Sequence, residues 1–235
     1  MTEYVGIDGC PAGWIAVFIN EYGVLNVEVE KNLEGFSFDR QNPNDIILID
    51  MPLGLENRPD GELRNAMKGN KSSVFSLSEK LPPTEEEYDC IKDTITMSKQ
   101  TKAIMHKIYE AKRFAGKDPA IFQFWESHPE FCFELLNDRK QLFPKKTGAG
   151  QAERLLILKE YLGVAGIGKL LQEASKKRKD AFFKFDDLLD AACLAVMAKI
   201  IGTKENCSVI TDKGKQMTVP DRYPFIAYAK NLGHY

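Results

Sequence analysis

The sequence predicts an α/β domain built on a mixed sheet. Three short apolar or alternating segments lie close together between residues 4 and 29, with turn residues between them. A continuous apolar segment follows at 45–50, and helical periodicity dominates the chain from about residue 85. A meander of strands, then a buried strand, then helices is the pattern of a sheet that helices cover.

The N-terminal segments predict three consecutive strands. Residues 4–8 form a short strand that ends in Asp8, and 14–19 form an apolar strand after a turn rich in Gly and Pro. Residues 24–29 alternate between apolar and polar side chains, as expected of a strand with one exposed face. Because the turns are short, the three strands are expected to form an antiparallel meander. A short helix or turn is predicted at 31–39.

A helical insertion separates the fourth and fifth predicted strands. Residues 45–50 are predicted to form a strand that ends in Asp50, and its centre at 46–49 is continuously apolar, which is typical of a strand in the middle of a sheet. The insertion covers about 56–118 and is largely helical in period from residue 85 to about 115. Residues 120–126 are the fifth strand.

Helices complete the rest of the chain. Four helices are predicted, at 131–136, 151–162, 167–177 and 187–201. The helical spacing of leucines is clearest at 151–162. A short hairpin follows at 209–211 and 217–219. Because no repeat, low-complexity region or linker interrupts the chain, we expect residues 1–235 to form a single domain.

The composition favours a cytoplasmic protein that does not contact a membrane. A hydrophobic fraction of 43% allows 235 residues to bury a real core, and no stretch approaches the ~20 apolar residues of a membrane span. The N-terminus lacks the features of a signal peptide. The five cysteines form no CxxC pair, which argues for a reducing compartment and against disulfides or a structural zinc.

The formal net charge of −2 hides a basic segment. Residues 137–184 contain 12 Lys or Arg and 5 Asp or Glu. A basic segment just before an acidic helix can hold a polyanion near a metal site. The run Lys176-Lys177-Arg178-Lys179 is equally well explained as a solvated loop.

The most informative residues are Asp187 and Asp190, at the start of the last predicted helix. Their i, i+3 spacing places them on one face, and carboxylates on an apolar helix are costly unless a positive group meets them. Such a pair suits a hard divalent cation. The alternative to a metal site is that these acids only stabilise the start of the helix, and Asp186 is the residue expected to be its cap. Asp8 and Asp50 close strands and give the pair partners, although either can be a turn residue.

Ordered motifs along almost the whole chain resemble a known family, the predicted ribonuclease H-like nucleases, domain of unknown function 429. These motifs are Val5 to Trp14, Ile49 to Leu55, Arg58 with Asp60 and Arg64, Ser72 to Phe75, His128-Pro129-Glu130, Lys145 to Thr147 with Gly150 and Arg154, the Asp187/Asp190 helix, and Asp212 with Gly214. The helix also resembles the last helix of RuvC-type Holliday-junction resolvases. The resemblance implies a ribonuclease H-like fold with a mixed five-stranded sheet in the order βββαβαβα.

The resemblance also implies an activity, which is hydrolysis of nucleic-acid phosphodiester bonds with two Mg²⁺ or Mn²⁺ ions. Asp8 would bridge both ions, Asp50 and Asp187 would each hold one, and Asp190 would complete the set. The resemblance does not say which nucleic acid is the substrate. The oligomeric state is also open, and a homodimer is one of the options.

Further residues have candidate roles beside the four acids. His128 or Glu130 can assist proton transfer, or Glu126 or Glu130 can add a metal ligand. Substrate phosphates can be bound by hydroxyls and cations, and the candidates are Arg64, Ser72, Ser73, Lys145, Lys146 and Arg154. Each has a structural alternative: a buried structural histidine, a helix cap or loop anchor, or a lysine in contact with water only.

Two other functions compete with the nuclease. A non-catalytic binding protein with the same fold is one, although carboxylates kept without a function would cost stability. A phosphotransfer enzyme of the actin-like ATPase class is the other. That class needs two such domains, and this chain has a single set of acidic strand ends.

Overall fold

The computed structural model describes most of the chain, with gaps. The described residues are 1–38, 42–55, 58–74, 77, 81–116, 123–178, 181–204, 207–211, 214–216 and 226–229. Asp212, the predicted hairpin strand 217–219 and the first part of the predicted strand 120–126 lie outside them. Among the described residues, no helix combines the length and the apolar character needed to cross a membrane.

The predicted mixed five-stranded sheet is confirmed. Its strands are β1 (Tyr4–Cys10), β2 (Gly13–Asn20), β3 (Gly23–Glu30), β4 (Ile46–Ile49) and β5 (Gln123–Glu126), in the order β3-β2-β1-β4-β5. The meander β1-β2-β3 is antiparallel, whereas β4 is parallel to both β1 and β5. The long insertion between β4 and β5 gives the chain the length that a parallel crossover requires.

The parallel register brings acidic residues to one edge of the sheet. Ile7 of β1 lies opposite Ile49 of β4, which in turn lies opposite Glu126 of β5. The pairing continues past the end of β4, because the Asp50 amide donates to the Ile7 carbonyl at 3.0 Å. Asp8, Asp50 and Glu126 therefore all lie at the carboxyl ends of parallel strands.

The described residues between β4 and β5 include three α-helices: α1 (Asp60–Ala66), α2 (Glu85–Ile91) and α3 (Lys99–Gly116). The helical region predicted from residue 85 to 115 is thus two helices. Thr84 caps α2, accepting the Glu87 amide at 3.2 Å. The apolar side of α3 packs on one face of the sheet, where alternate residues of β1 and β2 are also buried.

Three further helices cover the opposite face: α4 (Pro129–Leu136), α5 (Gly148–Lys177) and α6 (Phe185–Lys204). The two helices predicted at 151–162 and 167–177 correspond to the two parts of α5, which is broken at Gly163, whose φ of 69° and ψ of 173° are not helical. The break explains why the helical periodicity was interrupted there.

A second, smaller sheet follows α6. Its strands are β6 (Cys207–Thr211), β7 (Gly214–Gln216) and β8 (Ile226–Ala229), all antiparallel, in the order β7-β6-β8. The hairpin partner of β6 therefore begins at Gly214, and β8 was not predicted. This sheet contacts the end of β5, because the Ser127 hydroxyl donates to the Ala227 carbonyl at 2.8 Å.

Candidate active site

Three carboxylates from different elements lie close enough to one lysine for their charges to act on it. Asp8 comes from β1, Asp50 follows β4, and Asp190 lies on α6. Lys145, in the loop before α5, donates from Nζ to Asp190 Oδ2 at 2.6 Å. Asp190 is 1% exposed, and the Lys145 side chain is 30% exposed. The three acids were predicted as metal ligands from the sequence, whereas Lys145 was predicted only as a phosphate contact.

Burial and the repulsion between neighbouring carboxylates raise the pKa of all three carboxyl groups. Burial raises the pKa of Asp8 well above its ordinary value, and the charges of Asp50 and Asp190 raise it further. Burial likewise raises the pKa of Asp50 to about 7 and that of Asp190 to about 7, although Lys145 opposes both shifts. One lysine does not fully offset three desolvated carboxylates.

The same charges act on Lys145 in the opposite direction. Burial alone would lower the pKa of Lys145, but Asp190, Asp50 and Asp8 together raise it above its ordinary value. The lysine is therefore a fixed positive charge at neutral pH. Its direct partner is Asp190, whereas Asp50 and Asp8 act on it through their charges from further away.

One oxygen of this cluster has no partner. Asp190 Oδ2 accepts from Lys145, but no donor among the described residues reaches the buried Asp190 Oδ1. A buried acceptor without a hydrogen bond costs about 1–3 kcal/mol, and more when it is charged. We therefore expect Asp190 Oδ1 to bind a proton, a water molecule or a cation.

The donor set suits a hard divalent cation, because it consists of carboxylate oxygens that include this unpartnered one. The side chains are not closed around such an ion. Within the described part of the chain, no group of three or more His, Cys, Asp or Glu is arranged to hold a metal ion. Lys145 bonds Asp190 instead, so a cation that bound the same carboxylate oxygen would require the ammonium group to move.

Asp187 lies at the margin of the cluster. Its Oδ2 accepts the Lys184 amide at 2.8 Å, which is a capping interaction at the start of α6. Asp186, which the sequence predicts as the cap, is not the residue that makes this bond. Burial raises the pKa of Asp187, and its charge in turn contributes to the raised pKa of Asp8. Asp187 is therefore near Asp8 but already has a structural partner.

A pocket of about 270 Å³ opens beside the acids. Asp8, Asp50 and Lys145 line it, whereas Asp190 lies behind them. The rest of the lining combines apolar walls with polar and charged side chains. The apolar walls consist of Met51, Pro52, Leu63, Val74, Ile104 and Ile226, and the charged side chains include Arg58, Asp60 and Glu126. A phosphate group that reached Asp8 and Asp50 would have the rest of its molecule against these walls.

His128 lines the pocket as the N-cap of α4. Its Nδ1 accepts the Phe131 amide at 3.3 Å. Burial lowers the pKa of His128 to about 4, although Glu130 and a hydrogen bond with the Ser73 backbone oppose the shift. The ring is therefore neutral at pH 7, with one nitrogen already used by the helix, which agrees with the structural alternative for this residue.

Glu130 lines the pocket, but its carboxylate is paired with an arginine and is not free for the predicted role in proton transfer or metal binding. Both carboxylate oxygens accept from Arg154 Nη2 at 2.9 Å, and both side chains are buried. Arg154 also donates to the Phe143 and Gly150 carbonyls at 2.9 and 3.0 Å. The predicted contact of Arg154 with substrate is thus replaced by a structural one, since the pair fixes the loop that contains Lys145.

The remaining predicted phosphate contacts are only partly brought together. Ser73 lines the pocket, and its hydroxyl donates to the Asn70 carbonyl at 2.7 Å. Ser72 bonds the Asn70 side chain at 2.8 Å, and Arg64 Nε donates to the Val74 carbonyl at 3.1 Å. Both stabilise the loop around Ser73 rather than the pocket surface. Lys146 is exposed outside the pocket.

Sequence reasoning missed an ion-pair cluster in the pocket wall. Arg58 binds Glu126 at 2.6 Å and Asp60 at 2.9 Å, and all three are almost completely buried. Glu126 also accepts the Leu53 amide at 3.0 Å, so it is not available as the extra metal ligand considered from the sequence. Arg58 and Glu126 are 68 positions apart, and no local pattern connects them.

Lys107 is a second missed residue, on the Asp8 side of the pocket. Its Nζ donates to the Cys10 carbonyl at 2.8 Å and lies 5.0 Å from the Trp14 ring centroid. Burial lowers the pKa of Lys107, while Cys10 and Asp8 oppose the shift. It is one of several lysines on α3, so its sequence context gave no signal. Trp14 itself is fully buried.

Comparison with known proteins gives one match. A family model described as "Protein of unknown function (DUF429)" matches residues 6–215. No curated protein and no solved structure matches the chain. The matched range includes Asp8, Asp50, Lys145, Asp187 and Asp190.

Proposed function

The chain belongs to the DUF429 family, and we propose that it is a metal-dependent nuclease. The observation that carries the proposal is the convergence of Asp8, Asp50 and Asp190 from three elements, with the buried Asp190 Oδ1 lacking any described partner. Keeping three desolvated carboxylates together costs stability, and cation binding would offset that cost.

The fold supports the same proposal. A mixed five-stranded sheet with acids at the ends of β1 and β4, faced by an acidic helix start, agrees with the ribonuclease H-like fold that the sequence motifs resemble. We include that fold assignment in the proposal. Fold alone does not determine activity, so the argument depends on the acids and the pocket.

The chemistry follows from the donor set. Asp8, Asp50 and Asp190 would hold Mg²⁺ or Mn²⁺, with Asp187 able to join after releasing the Lys184 amide. Two such cations, when bound, stabilise the attacking and leaving oxygens of a phosphodiester. Asp8 and Asp50 line the pocket, so cations held there would determine where the phosphate lies.

The other residues of the pocket have supporting roles. Lys145 and Lys107 provide positive charge beside the acids, which favours a phosphate over a neutral group. His128 keeps its Nδ1 on α4 and stays neutral at pH 7, so it does not supply a proton there. The apolar walls would contact the sugar or base of one nucleotide unit.

A test is cleavage of labelled single-stranded and duplex DNA and RNA with Mg²⁺, with Mn²⁺ and with EDTA. We expect metal-dependent cleavage of at least one substrate, and a loss of ~10² or more in Asp50→Asn, by analogy with the removal of other groups that stabilise transition-state charge. The control is Asp138→Asn, an exposed carboxylate far from the pocket lining. Equal activity in both variants would refute the assignment of the site.

One observation favours a second candidate, a nucleic-acid or phosphoester binding protein without catalysis. Lys145 already bonds Asp190, so part of the acid charge is balanced without a metal. Tight oligonucleotide binding that is insensitive to EDTA, without cleavage of any substrate, would favour this function.

A further inference from the structure

Lys145 occupies a carboxylate oxygen that a cation bound by the acid cluster would use. Its Nζ is 2.6 Å from Asp190 Oδ2, and its charge acts on Asp50 and Asp8 as well. In the described residues it is the group that bonds the Asp190 carboxylate, whose other oxygen has no partner. A divalent cation that bound Asp190 together with Asp8 and Asp50 would repel this ammonium group at close range.

The Lys145 side chain can move away from Asp190 without movement of the Lys145 backbone. The loop itself is fixed, because Arg154 bonds the Phe143 carbonyl and a Cβ on Gly150 would lie 2.1 Å from the Pro144 carbonyl oxygen. The Lys145 side chain is not fixed in this way, since it is 30% exposed and lines the pocket. Rotation about its four flexible bonds can carry the ammonium group from Asp190 into the pocket.

The position that Lys145 would take up is next to the substrate. The pocket is continuous from Asp8 and Asp50 to the apolar walls, and Lys145 is part of its lining. An ammonium group released from Asp190 would therefore still be within the pocket. A phosphate there would offer it a new anionic partner.

We propose that Lys145 is the built-in counter-ion of the acid cluster and competes with a divalent cation for Asp190. This inference rests on the proposed function. When a cation binds, Lys145 leaves Asp190 and turns to the substrate phosphate, so that binding of metal and readiness for substrate are coupled. In the absence of metal, the lysine balances the charge of the acids.

The experiment measures Mn²⁺ binding, without substrate, by electron paramagnetic resonance of the free ion. The proteins are the wild type, Lys145→Met and Lys146→Met. Methionine keeps most of the volume of lysine without its charge. Lys146 is the matched control, because it is the adjacent exposed lysine and lies outside the pocket. Circular dichroism confirms that each variant is folded.

We expect Lys145→Met to bind Mn²⁺ at least about tenfold more tightly than wild type, and Lys146→Met within about twofold of it. If wild type binds but Lys145→Met binds no more tightly than the control, the inference is overturned and the proposed function stands. If Lys145→Met binds and wild type does not, the inference is supported and the proposed function fails. If none of the proteins binds Mn²⁺, both are overturned.

A second measurement on the wild type decides the matter if Lys145→Met does not fold. Limited acetylation followed by mass spectrometry compares the labelling of Lys145 with that of Lys146, with and without Mn²⁺. Release from Asp190 predicts that Mn²⁺ raises the labelling of Lys145 several-fold relative to Lys146. An unchanged ratio at saturating Mn²⁺ would overturn the inference.

Discussion

Gly6 of β1 lies directly against Ala191 of α6. A Cβ atom on Gly6 would be 2.0 Å from the Ala191 carbonyl oxygen, and 2.3 Å from the Ala195 amide nitrogen. This close approach sets the position of α6 on the sheet. Since Ala191 follows Asp190 and Gly6 lies two residues before Asp8, the contact also brings these two acids into one cluster.

Gly6→Ala should therefore destabilise the protein strongly. The clash is with helix backbone, which cannot rotate away, so we expect a loss of about 3 kcal/mol or more in the free energy of unfolding. Urea denaturation followed by circular dichroism measures it. Gly61→Ala is the control, because a Cβ there meets no atom within 4 Å. A loss below about 0.5 kcal/mol for Gly6→Ala would contradict this packing.

The metal-free protein should become less stable as the pH rises from about 4 to 7. Burial raises the pKa of Asp50 to about 7, so the folded state holds this proton more tightly than the unfolded chain, and stability is lost as the group ionises. Asp190 acts in the same direction.

Asp50→Asn should remove part of this dependence. At pH 8 in EDTA we expect the variant to be more stable than wild type by at least about 1 kcal/mol, with little difference at pH 4. Thermal unfolding at both pH values measures it, with Asp138→Asn as the exposed control. If Asp50→Asn is no more stable than wild type at pH 8, burial does not disfavour the charge of Asp50.

Glu130→Gln should weaken both the fold and the loop that contains Lys145. Removing one charge leaves Arg154 buried without its anion, which typically costs about 3–5 kcal/mol. We also expect faster amide hydrogen exchange at 143–150, measured by mass spectrometry, since Arg154 bonds two carbonyls in that range. Asp89→Asn, which removes an exposed pair with Lys92, should change stability by less than ~1 kcal/mol. Equal effects of the two variants would contradict the role of this pair.

His128 should stay neutral well below its ordinary range. Burial lowers the pKa of His128 to about 4. Its ring resonance, assigned by comparison with His128→Asn, should not titrate between pH 5.5 and 8 in NMR spectra. A midpoint between those values would show that the ring is more exposed than its place at the start of α4 suggests, and would reopen its predicted role in proton transfer.

The sequence predicted what depends on local pattern. Apolar runs ending in Asp8 and Asp50 identified two strands, and the i, i+3 pair identified the start of α6, because each signal lies within a few residues. The same reasoning gave the cap to Asp186 rather than Asp187, since neighbouring acids in a first turn cannot be told apart without the backbone geometry.

Contacts between distant segments could not be predicted. Lys145 and Asp190 are 45 positions apart, and only the packing of α5 and α6 on the sheet brings them together. Glu130 and Arg154 were assigned to the site because charged residues are usually exposed or functional, but here they satisfy each other in the core. The β8 strand was missed because a short apolar segment near the end of the chain has no periodicity of its own.

The most direct test of the central claim is anomalous diffraction from crystals of the wild type soaked in Mn²⁺. The account predicts a Mn²⁺ peak bound by Asp8, Asp50 and Asp190, with the Lys145 side chain moved away from Asp190. The absence of any peak at these acids at millimolar Mn²⁺, with Lys145 still bonded to Asp190, would contradict it.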